Sequence, residues 1–326
     1  MKTEGVPEIL VICLSPAVDR NYSLAELFPG GFHRCSDPVV SAGGKGVNVA
    51  RVLSILGAEV HLTGFFAGNA GKFILEDLKS HGIYAEPVFL EGETRSSINI
   101  LEMNNSRETE ILEQGPAAGY EDLAQIADII ERYLRNAGEE SCVVFSGGLT
   151  SGLSSDTYAY LIGKAKSFGA KCFLDTSAEA LMSGVTAEPF FIKPNIREFS
   201  AITGYMPSYD NRITDRDISD IALASGSLDI PVKAITLSDK GAVLCTDDST
   251  FFAHPLPVIP VNTIGSGDSF TAGFAFAVAN GEDDRSALSL AVACAASNAV
   301  FDKVGYVSAE QVRELRQQVI INEYKF

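Results

Sequence analysis

Short apolar runs alternate with segments of helical periodicity along most of this chain. The first four are EILVICLS from Glu8, GVNVARVLSILG from Gly46, EVHLTGFFA from Glu59 and AGKFILEDLKSHG from Ala70. The alternation resumes after residue 119 and leads into a helical C-terminal third. Because a strand, a helix and a second strand in this order form a βαβ unit, the pattern predicts an α/β fold with a mainly parallel central sheet flanked by helices.

Two stretches, 21–42 and 93–113, interrupt that alternation. They contain period-two segments such as RSSINILEM and RETEILEQ. A period of two residues indicates strands, so both stretches are predicted to form antiparallel strands of a small β lid outside the main sheet. The sequence shows no internal repeat and no Pro/Ser-rich linker. We therefore expect a single domain over residues 1–326, with the lid strands within 21–42 and 93–113.

The charge balance limits the partners that the chain can have. It contains 42 Asp and Glu against 25 Lys and Arg, which gives a formal net charge of −17. A field of this sign repels nucleic acids and anionic membranes, so neither is expected as a partner. An anionic substrate would have to be bound by a few local cations and by backbone dipoles.

Cysteine and histidine residues are scattered singly. The six cysteines form no C-x-x-C pair, and the four histidines lie far apart in the sequence. Reduced thiols are therefore expected, and a zinc site is not. The N-terminal segment MKTEGVPEILVICLS has acids ahead of a short apolar run, and no apolar stretch is long enough to span a bilayer, so we expect a cytoplasmic location.

The segment NTIGSGDSF, residues 262–270, places a carboxylate inside a glycine-rich turn ahead of the small and apolar run TAGFAFAVA. Glycines allow a tight turn with uncovered N–H groups, and the first turn of a helix carries unpaired donors and a partial positive charge. Such a turn can hold an anion. The alternative is that Ser266 or Asp268 merely caps the helix.

Four other polar or glycine-rich segments accompany predicted strands: CLSPAVDR, SAGGKGVN, SGGLTSG and KPNIRE, while NTIGSGD itself follows PLPVIPV, interpreted as a strand. Ligands of a parallel α/β sheet bind beyond the carboxyl ends of its strands, so these segments predict one shared site. GGKGVN lacks the first glycine and the Ser/Thr of a Walker A loop. GSGDSF has Phe270 where a dinucleotide fingerprint has its third glycine.

The pair GGKGVNVARVLSILG and NTIGSGDSFTAGFAFA resembles the two signature regions of the ribokinase-like (PfkB) carbohydrate kinases. Between them, KPNIREFSAITG is similar to the K-P-N-x-x-E segment of the branch that acts on phosphorylated ketohexoses, and LDTSAEAL to a strand-to-turn segment of the family. The segments GETRSSINILE and TEILEQGP are more similar to tagatose-6-phosphate kinases than to 1-phosphofructokinases. The resemblance spans nearly the whole chain and implies the ribokinase-like three-layer fold.

Roles for individual residues follow from the resemblance. Asp268 matches the catalytic base that takes the proton of the attacking sugar hydroxyl, and the N–H groups of an anion hole are implied at Gly265, Ser266 and Gly267. The substrate-binding set is implied at Asp19, Gly44, Lys45, Asn48 and Arg95, of which Arg95 matches the arginine that meets the phosphate of the substrate. The cofactor-binding set is implied at Lys193, Asn195, Ser238, Gly241 and Asn298. Asn195 and Glu198 match an N-x-x-E motif that organises Mg²⁺, through water.

Several of these residues also have an ordinary structural interpretation. Arg95 could be a charged strand residue, Glu198 an acid in the first turn of a helix, and Lys193 a solvated strand end. Asn48 fits a functional role better, because an unpaired amide in an otherwise apolar helix is costly to bury.

The resemblance implies an enzyme that uses ATP and Mg²⁺ to phosphorylate tagatose 6-phosphate at C1, giving the 1,6-bisphosphate. The alternative is a 1-phosphofructokinase, which uses the same residues on fructose 1-phosphate. Departures from the residues usual in this branch, at Ser15, Gly148 and Ser238, leave the preferred sugar and the binding of the nucleotide base open. A non-catalytic sugar-phosphate sensor is a third hypothesis, and an apolar outer face of the lid would allow a homodimer.

Overall fold

The computed structural model describes residues 6–105, 107–137, 140–207 and 212–325. Within these residues the strands are β1 (Glu8–Cys13), β2 (Ala17–Leu24), β3 (Val39–Gly43), β4 (Glu59–Phe66), β5 (Tyr84–Phe89), β6 (Ser96–Glu102), β7 (Arg107–Leu112), β8 (Cys142–Ser146), β9 (Lys171–Asp175), β10 (Phe191–Ile192), β11 (Val232–Thr236), β12 (Ala242–Cys245), β13 (Thr250–Ala253) and β14 (Ile321–Tyr324). They form two sheets, one of ten strands and one of four.

The larger sheet has the strand order β14-β13-β12-β11-β10-β9-β8-β1-β4-β5. The strands from β11 to β5 in this order all run parallel, whereas β12, β13 and β14 are antiparallel to their neighbours. The order reverses at β1, because the chain continues outward to β4 on one side and later returns to β8 on the other. A crevice at such a reversal is where α/β sheets bind ligands.

The helices cover both faces of this sheet. They are α1 (Lys45–Leu56), α2 (Gly68–Ser80), α3 (Tyr120–Ala137), α4 (Thr157–Lys166), α5 (Ala178–Gly184), α6 (Ile196–Thr203), α7 (Asp215–Ser225), α8 (Ser266–Ala279), α9 (Asp284–Ala299) and α10 (Ala309–Arg316). Two short 3₁₀ segments, Val185–Ala187 and Ser238–Lys240, complete the helical elements among the described residues.

Alternation along β1 explains the two helical layers. Ile9 and Val11 belong to a buried cluster with α1, α2, α8, α9 and α10, whereas Leu10 and Ile12 belong to a second cluster with α3, α4 and α5. Successive side chains of a strand point to opposite faces, and each buried aliphatic side chain contributes about 1.5–3 kcal/mol. The predicted α/β architecture, a mainly parallel sheet between two layers of helices, is confirmed.

The smaller sheet has the order β3-β2-β6-β7. Its first two strands, β2 and β3, extend beyond the range 21–42 to Ala17 and Gly43, and β6 and β7 lie within 93–113. The expectation of antiparallel strands is wrong for β2 and β6, which pair in parallel. A period of two residues indicates a strand but not its direction, and the path through α1, β4, α2 and β5 is long enough for a crossover between parallel strands.

The prediction of a strand at PLPVIPV was wrong. The structure assigns no strand to residues 255–261, and the strand lies earlier, at β13. Pro255, Pro257 and Pro260 have no N–H to donate to a sheet, so this apolar segment cannot pair as a strand. The C-terminal third, interpreted as helical, also contains the edge strand β14.

None of the described helices is both long and apolar enough to cross a membrane. All six cysteines are free thiols, and five of them are buried. The described residues contain no cluster of His, Cys, Asp and Glu suited to a metal ion.

Candidate active site

A cleft of about 800 Å³ lies beyond the carboxyl ends of β1 and β8, at the reversal of strand order, and the smaller sheet forms one of its walls. Eight of the residues proposed from the sequence line it: Asp19, Gly44, Lys45, Asn48, Arg95, Gly265, Gly267 and Asp268. They come from segments up to 249 positions apart in the chain, the span from Asp19 to Asp268. The structure thus brings the predicted sugar-side residues and the glycine-rich turn into one cavity.

The glycine-rich turn enters α8 at Gly265, which has a φ of 82°. A Cβ atom there would lie 2.7 Å from the backbone nitrogen of Gly305, so the left-handed conformation and the close approach both require glycine. Gly265 is the N-cap residue, so Ser266 and Asp268 occupy the first and third helical positions. The alternative that either of them caps α8 is therefore not what the structure shows.

Three N–H groups of this turn, those of Gly265, Gly267 and Asp268, have no hydrogen-bond acceptor among the described residues. Ser266 differs from the expectation, because its N–H donates to the carbonyl oxygen of Thr263 at 3.2 Å and closes the turn. Free N–H groups at the N-terminus of a helix provide donors and a positive dipole for an anion. The donors available to an anion are therefore those of Gly265, Gly267 and Asp268.

The Asp268 carboxylate is held by two neighbours on α1. Asn48 Nδ2 donates to its Oδ2 at 2.9 Å, and Lys45 Nζ lies 3.4 Å from its Oδ1. Asp268 is 5% exposed and Asn48 is 4% exposed. A buried carboxylate with fixed orientation at the edge of an anion-binding turn can accept a proton from a group bound in the cleft.

Lys45 also contacts Asp175, at the carboxyl end of β9, with an Nζ–Oδ1 distance of 3.3 Å. The other Asp175 oxygen accepts a hydrogen bond from Thr271 Oγ1 at 2.8 Å and lies 3.4 Å from Lys193 Nζ. Burial would raise the pKa of Asp175, but the charges of Lys193 and Lys45 outweigh it and lower that pKa. The charge of Asp175 in turn raises the pKa of Lys45, so both groups are charged at neutral pH.

Asp19 faces the cleft from β2, and no described residue donates a hydrogen bond to its carboxylate. Gly43 leaves room for it, because a Cβ atom at that position would overlap the carboxylate. Burial raises the pKa of Asp19 to about 7, against the opposing charges of Arg51 and Arg95. The carboxylate is thus an unused acceptor in the cleft, where hydroxyl groups could donate to it.

Arg95 precedes β6 and also faces the cleft. Its Nε donates to Ser15 Oγ at 3.1 Å and its Nη2 to the carbonyl oxygen of Ser15 at 3.5 Å, whereas its Nη1 group has no partner among the described residues. The Ser15 contact fixes one side of the guanidinium plane, so the opposite side can bind an anion through parallel N–H groups.

The residues proposed for the nucleotide side lie outside this cleft. Lys193 is buried, and its ammonium group packs against Gly267. A Cβ atom on Gly267 would lie 3.2 Å from Lys193 Nζ. Ser238 begins the short 3₁₀ segment and Gly241 follows it, with φ values of 58° and 103°. Asn298 is fully buried and donates from Nδ2 to the carbonyl oxygen of Ile264 at 2.9 Å, so its side chain braces the turn from behind. Their roles in nucleotide binding stay predictions.

Asn195 and Glu198 form a capping box at the start of α6. Asn195 Oδ1 accepts from the Glu198 N–H at 3.0 Å, and Glu198 Oε2 accepts from the Asn195 N–H at 2.8 Å. The structural interpretation of Glu198 as an acid in a first turn is thus realised. The charge of the Glu198 carboxylate also raises the pKa of Lys45.

A family model, "pfkB family carbohydrate kinase", matches residues 9–300. The chain belongs to the PfkB family of carbohydrate kinases. The prediction of this family from the two glycine-rich segments, and with it the prediction of a carbohydrate kinase, is confirmed. Sugar kinases of this family use ATP.

Known relatives cover nearly the whole length of this PfkB kinase. A tagatose-6-phosphate kinase of Staphylococcus epidermidis is 33% identical over 320 residues, which are 97% of this chain and 99% of the relative. Phosphofructokinase-2 from Escherichia coli has a TM-score of 0.86 at 21% identity, covering 96% of this chain and 99% of that one. A possible 1-phosphofructokinase from Thermotoga maritima has a TM-score of 0.83 at 24% identity, covering 98% and 100%. The two solved structures show the shared fold.

Sequence reasoning assigned no role to Asp175 in this PfkB kinase, although its carboxylate joins Lys45, Lys193 and Thr271. A signal was present in LDTSAEAL, where an acid ends the buried strand KCFLD at the edge of the sheet that binds ligands. A charged residue at the end of an apolar strand is rarely buried without a partner.

Proposed function

We propose that this kinase transfers the γ-phosphoryl group of ATP to a hydroxyl group of a ketohexose monophosphate, and that the preferred substrate is tagatose 6-phosphate, phosphorylated at C1. One observation carries the proposal. The buried Asp268 carboxylate and the three free N–H groups of its own turn line the same cleft as Arg95. The cleft thus combines a proton acceptor, an anion hole and a cation suited to a second phosphate.

Asp268 is the base in this proposal. It takes the proton of the attacking hydroxyl, while the N–H groups of Gly265, Gly267 and Asp268 stabilise the charge that develops on the transferring phosphoryl group. Lys45, which lies between Asp175 and Asp268, adds a cation at the same place. The chain performs little covalent chemistry, so the rate depends on positioning and on electrostatic stabilisation.

The sugar is bound by acceptors and donors on the opposite wall. Asp19 accepts from hydroxyl groups, and the Arg95 guanidinium binds the phosphate already on the substrate. A nucleoside as the acceptor substrate is less well supported, because the unpaired Nη1 group of Arg95 would then face no phosphate.

The choice of tagatose 6-phosphate is supported by the two Staphylococcus epidermidis relatives named tagatose-6-phosphate kinase, at 33% and 32% identity. Fructose 1-phosphate is the second candidate, because it is also a ketohexose monophosphate. It would bind to the same residues of the cleft with its phosphorylated end and its reacting end exchanged. The test is kcat/KM measured side by side for the two sugars with ATP and Mg²⁺, with the products identified by ³¹P NMR. A higher kcat/KM for fructose 1-phosphate would replace the tagatose assignment and leave the kinase proposal intact.

A sugar-phosphate sensor is the alternative from a different class. A binding protein has no use for a base placed beside free N–H groups, and this chain retains both. Tight binding of ketohexose phosphates without phosphoryl transfer to any of them would favour the sensor.

Asn195 and Glu198 suit Mg²⁺ held through water. One oxygen of each side chain is already used in the capping box, so direct coordination through those atoms would break the start of α6. Mg²⁺ tends to keep part of its hydration shell, and outer-sphere contacts to these two oxygen-bearing groups would leave the capping box intact. When bound, the metal ion neutralises charge on the phosphates of ATP.

We also propose a homodimer through the smaller sheet. Val40, Arg20, Ile98 and Ile111 lie side by side across its four strands, on the face opposite Asp19 and Asn99. Val40 is 41% exposed and Ile111 is 50% exposed. The three aliphatic side chains of this row can pack against the same row of a second copy, and Escherichia coli phosphofructokinase-2 has a tetrameric inhibited form. The cytoplasmic location stays a prediction.

A further inference from the structure

Arg51, in the middle of α1, is a buried cation to which the proposed chemistry assigns no role. It is 5% exposed, and a buried guanidinium is tolerated only when its N–H groups are paired. Its Nη2 group donates to the carbonyl oxygen of Ala42 at 2.6 Å and to Asp77 Oδ2 at 3.1 Å. Its Nη1 group donates to the carbonyl oxygen of Val304 at 3.1 Å and to Asn48 Oδ1 at 3.3 Å.

The contact with Asn48 fixes which way the amide points. A guanidinium has only donors and an ionised carboxylate has only acceptors. Asn48 lies between the two, with its oxygen towards Arg51 and its nitrogen towards Asp268. A rotation of the amide by half a turn would place two donors together on one side and two acceptors together on the other.

The segment at Gly305 packs closely against Asn48. Gly305, with a φ of 61°, presses against it so closely that a Cβ atom there would lie 2.6 Å from Asn48 Cβ and 2.7 Å from its Oδ1. Arg51 holds this same segment through the carbonyl oxygen of Val304. One guanidinium therefore sets both the orientation of the Asn48 amide and the position of the segment packed against it.

We propose that Arg51 is a positioning residue of the kinase reaction, which acts through Asn48 to orient the Asp268 carboxylate towards the sugar hydroxyl. This inference rests on the proposed function, since it takes Asp268 as the base. Arg51 touches neither the cleft nor the turn. Its effect passes along the chain of hydrogen bonds from Nη1 to Asn48 Oδ1 and from Asn48 Nδ2 to Asp268 Oδ2.

The other reading of the same contacts is a purely structural clamp. Through Ala42, Asp77 and Val304, Arg51 joins β3, α2 and the segment after α9. A clamp stabilises the fold, whereas a positioning residue changes kcat through Asn48 in particular. The two interpretations therefore differ in whether the effects of substituting Arg51 and Asn48 on kcat are coupled.

The test is a double-mutant cycle of Arg51→Lys and Asn48→Ala. Lysine keeps the positive charge beside Asp19 but loses the planar fork that reaches several acceptors. We expect Arg51→Lys to lower kcat about 10²-fold with a KM for the sugar phosphate within a few-fold of wild type, because small misplacements of a catalytic group have effects of that size. In the Asn48→Ala background the same change should lower kcat no further.

Asp77→Asn is the matched control, because it removes the charged partner of Arg51 on α2 and leaves the Asn48 contact in place. It should lower the free energy of unfolding and keep kcat within about 2-fold, in contrast to the loss that misplacement causes. Any one of three results would overturn the proposal. The first is an unchanged kcat in Arg51→Lys, and the second is an equal loss of kcat on Arg51→Lys with Asn48 and with Ala at position 48. The third is a loss of kcat in Asp77→Asn as large as that in Arg51→Lys.

A readout independent of turnover separates this inference from the proposed function. A crystal structure of Arg51→Lys should show the Asn48 amide turned away from Asp268, and an unchanged Asn48 Nδ2–Asp268 Oδ2 contact would overturn the inference even if no sugar phosphate were a substrate. If the variant does not fold, NMR of the wild-type protein provides the test. The side-chain amide resonances of Asn48 are identified by their absence from the spectrum of Asn48→Ala. Two side-chain N–H resonances of Asn48 that exchange slowly with solvent support a fixed amide, and rapid exchange with solvent contradicts it.

Discussion

The ammonium group of Lys45 lies 3.3 Å from the carboxylate of Asp175, 130 positions further along the chain. Lys193 approaches the other oxygen of the same carboxylate at 3.4 Å, and the Asp175 side chain is only 2% exposed. Two cations of the active-site region therefore share one buried anion. Because Lys45 also contacts Asp268, the position of Asp175 influences the arrangement around the proposed base.

We predict that Asp175→Asn lowers the free energy of unfolding by about 3–5 kcal/mol, because it leaves Lys193 buried without its counter-charge. Urea unfolding at pH 7 measures the change. Glu131→Gln is the matched control, since Glu131 also pairs with two cations, Arg135 and Lys164, but at the surface. If the two substitutions had equal small effects, the buried pairs of Asp175 would not be important for stability.

The pKa of Asp19, raised to about 7 by burial, predicts a pH dependence of sugar binding. Below pH 7 the carboxyl group is protonated and accepts hydrogen bonds from hydroxyl groups less well, so KM for the sugar phosphate should rise as the pH falls from 8 to 6. A raised pKa also means that the contribution of Asp19 to stability is present at acidic pH and is lost as the pH rises through 7.

The measurement is KM for the sugar phosphate in wild type and in Asp19→Asn over this range. The substrate phosphate titrates equally in both proteins, so the ratio of the two KM values isolates Asp19. A ratio that does not change with pH would show that Asp19 does not titrate in the bound site.

Arg95→Ala should raise KM for the sugar phosphate and leave KM for ATP nearly unchanged. Arg95 faces the cleft, and the loss of a charge-assisted hydrogen bond costs about 1.5–3 kcal/mol. Steady-state kinetics with each substrate varied in turn separates the two values. An unchanged KM for the sugar phosphate would remove Arg95 from the phosphate site.

Dimerisation through the smaller sheet predicts that Ile111→Lys gives a monomer, because the substitution replaces an exposed aliphatic side chain of the row across this sheet, on the edge strand β7, with a charged one. Sedimentation velocity at micromolar concentration measures the change. Leu223→Lys is a suitable control, since Leu223 is 82% exposed on α7, outside the smaller sheet. A wild-type protein that sediments as a monomer would contradict the prediction.

Local sequence patterns predicted the elements that depend on local burial. Strand β1 was predicted from a continuous apolar run, which is buried on both faces, and helix α1 from the apolar period of the face that it buries. The strand predicted at PLPVIPV failed since hydrophobicity alone does not reveal that three prolines cannot donate. The direction of pairing between β2 and β6 could not be read from their alternation either.

The site was predicted only in part, for a related reason. Glycine-rich turns are visible in the sequence, so the turn at Gly265 and the residues of GGKGVN were found. The role of Asp175 depends on Lys45, and that of Arg51 on the segment at Val304, which is 253 positions away. Pairings over such separations depend on the tertiary structure and leave no periodic signal.

The central claim is that Asp268 is the catalytic base, and kcat of Asp268→Asn tests it most directly. Asparagine keeps the shape of the side chain but cannot accept the proton, so kcat should fall by about 10²–10⁴ while the affinities for both substrates change little. Asp283→Asn is the control, because Asp283 is a true N-cap that accepts from the Ser286 N–H at 2.7 Å on α9. It should leave kcat nearly unchanged. A near-normal kcat in Asp268→Asn would contradict the account.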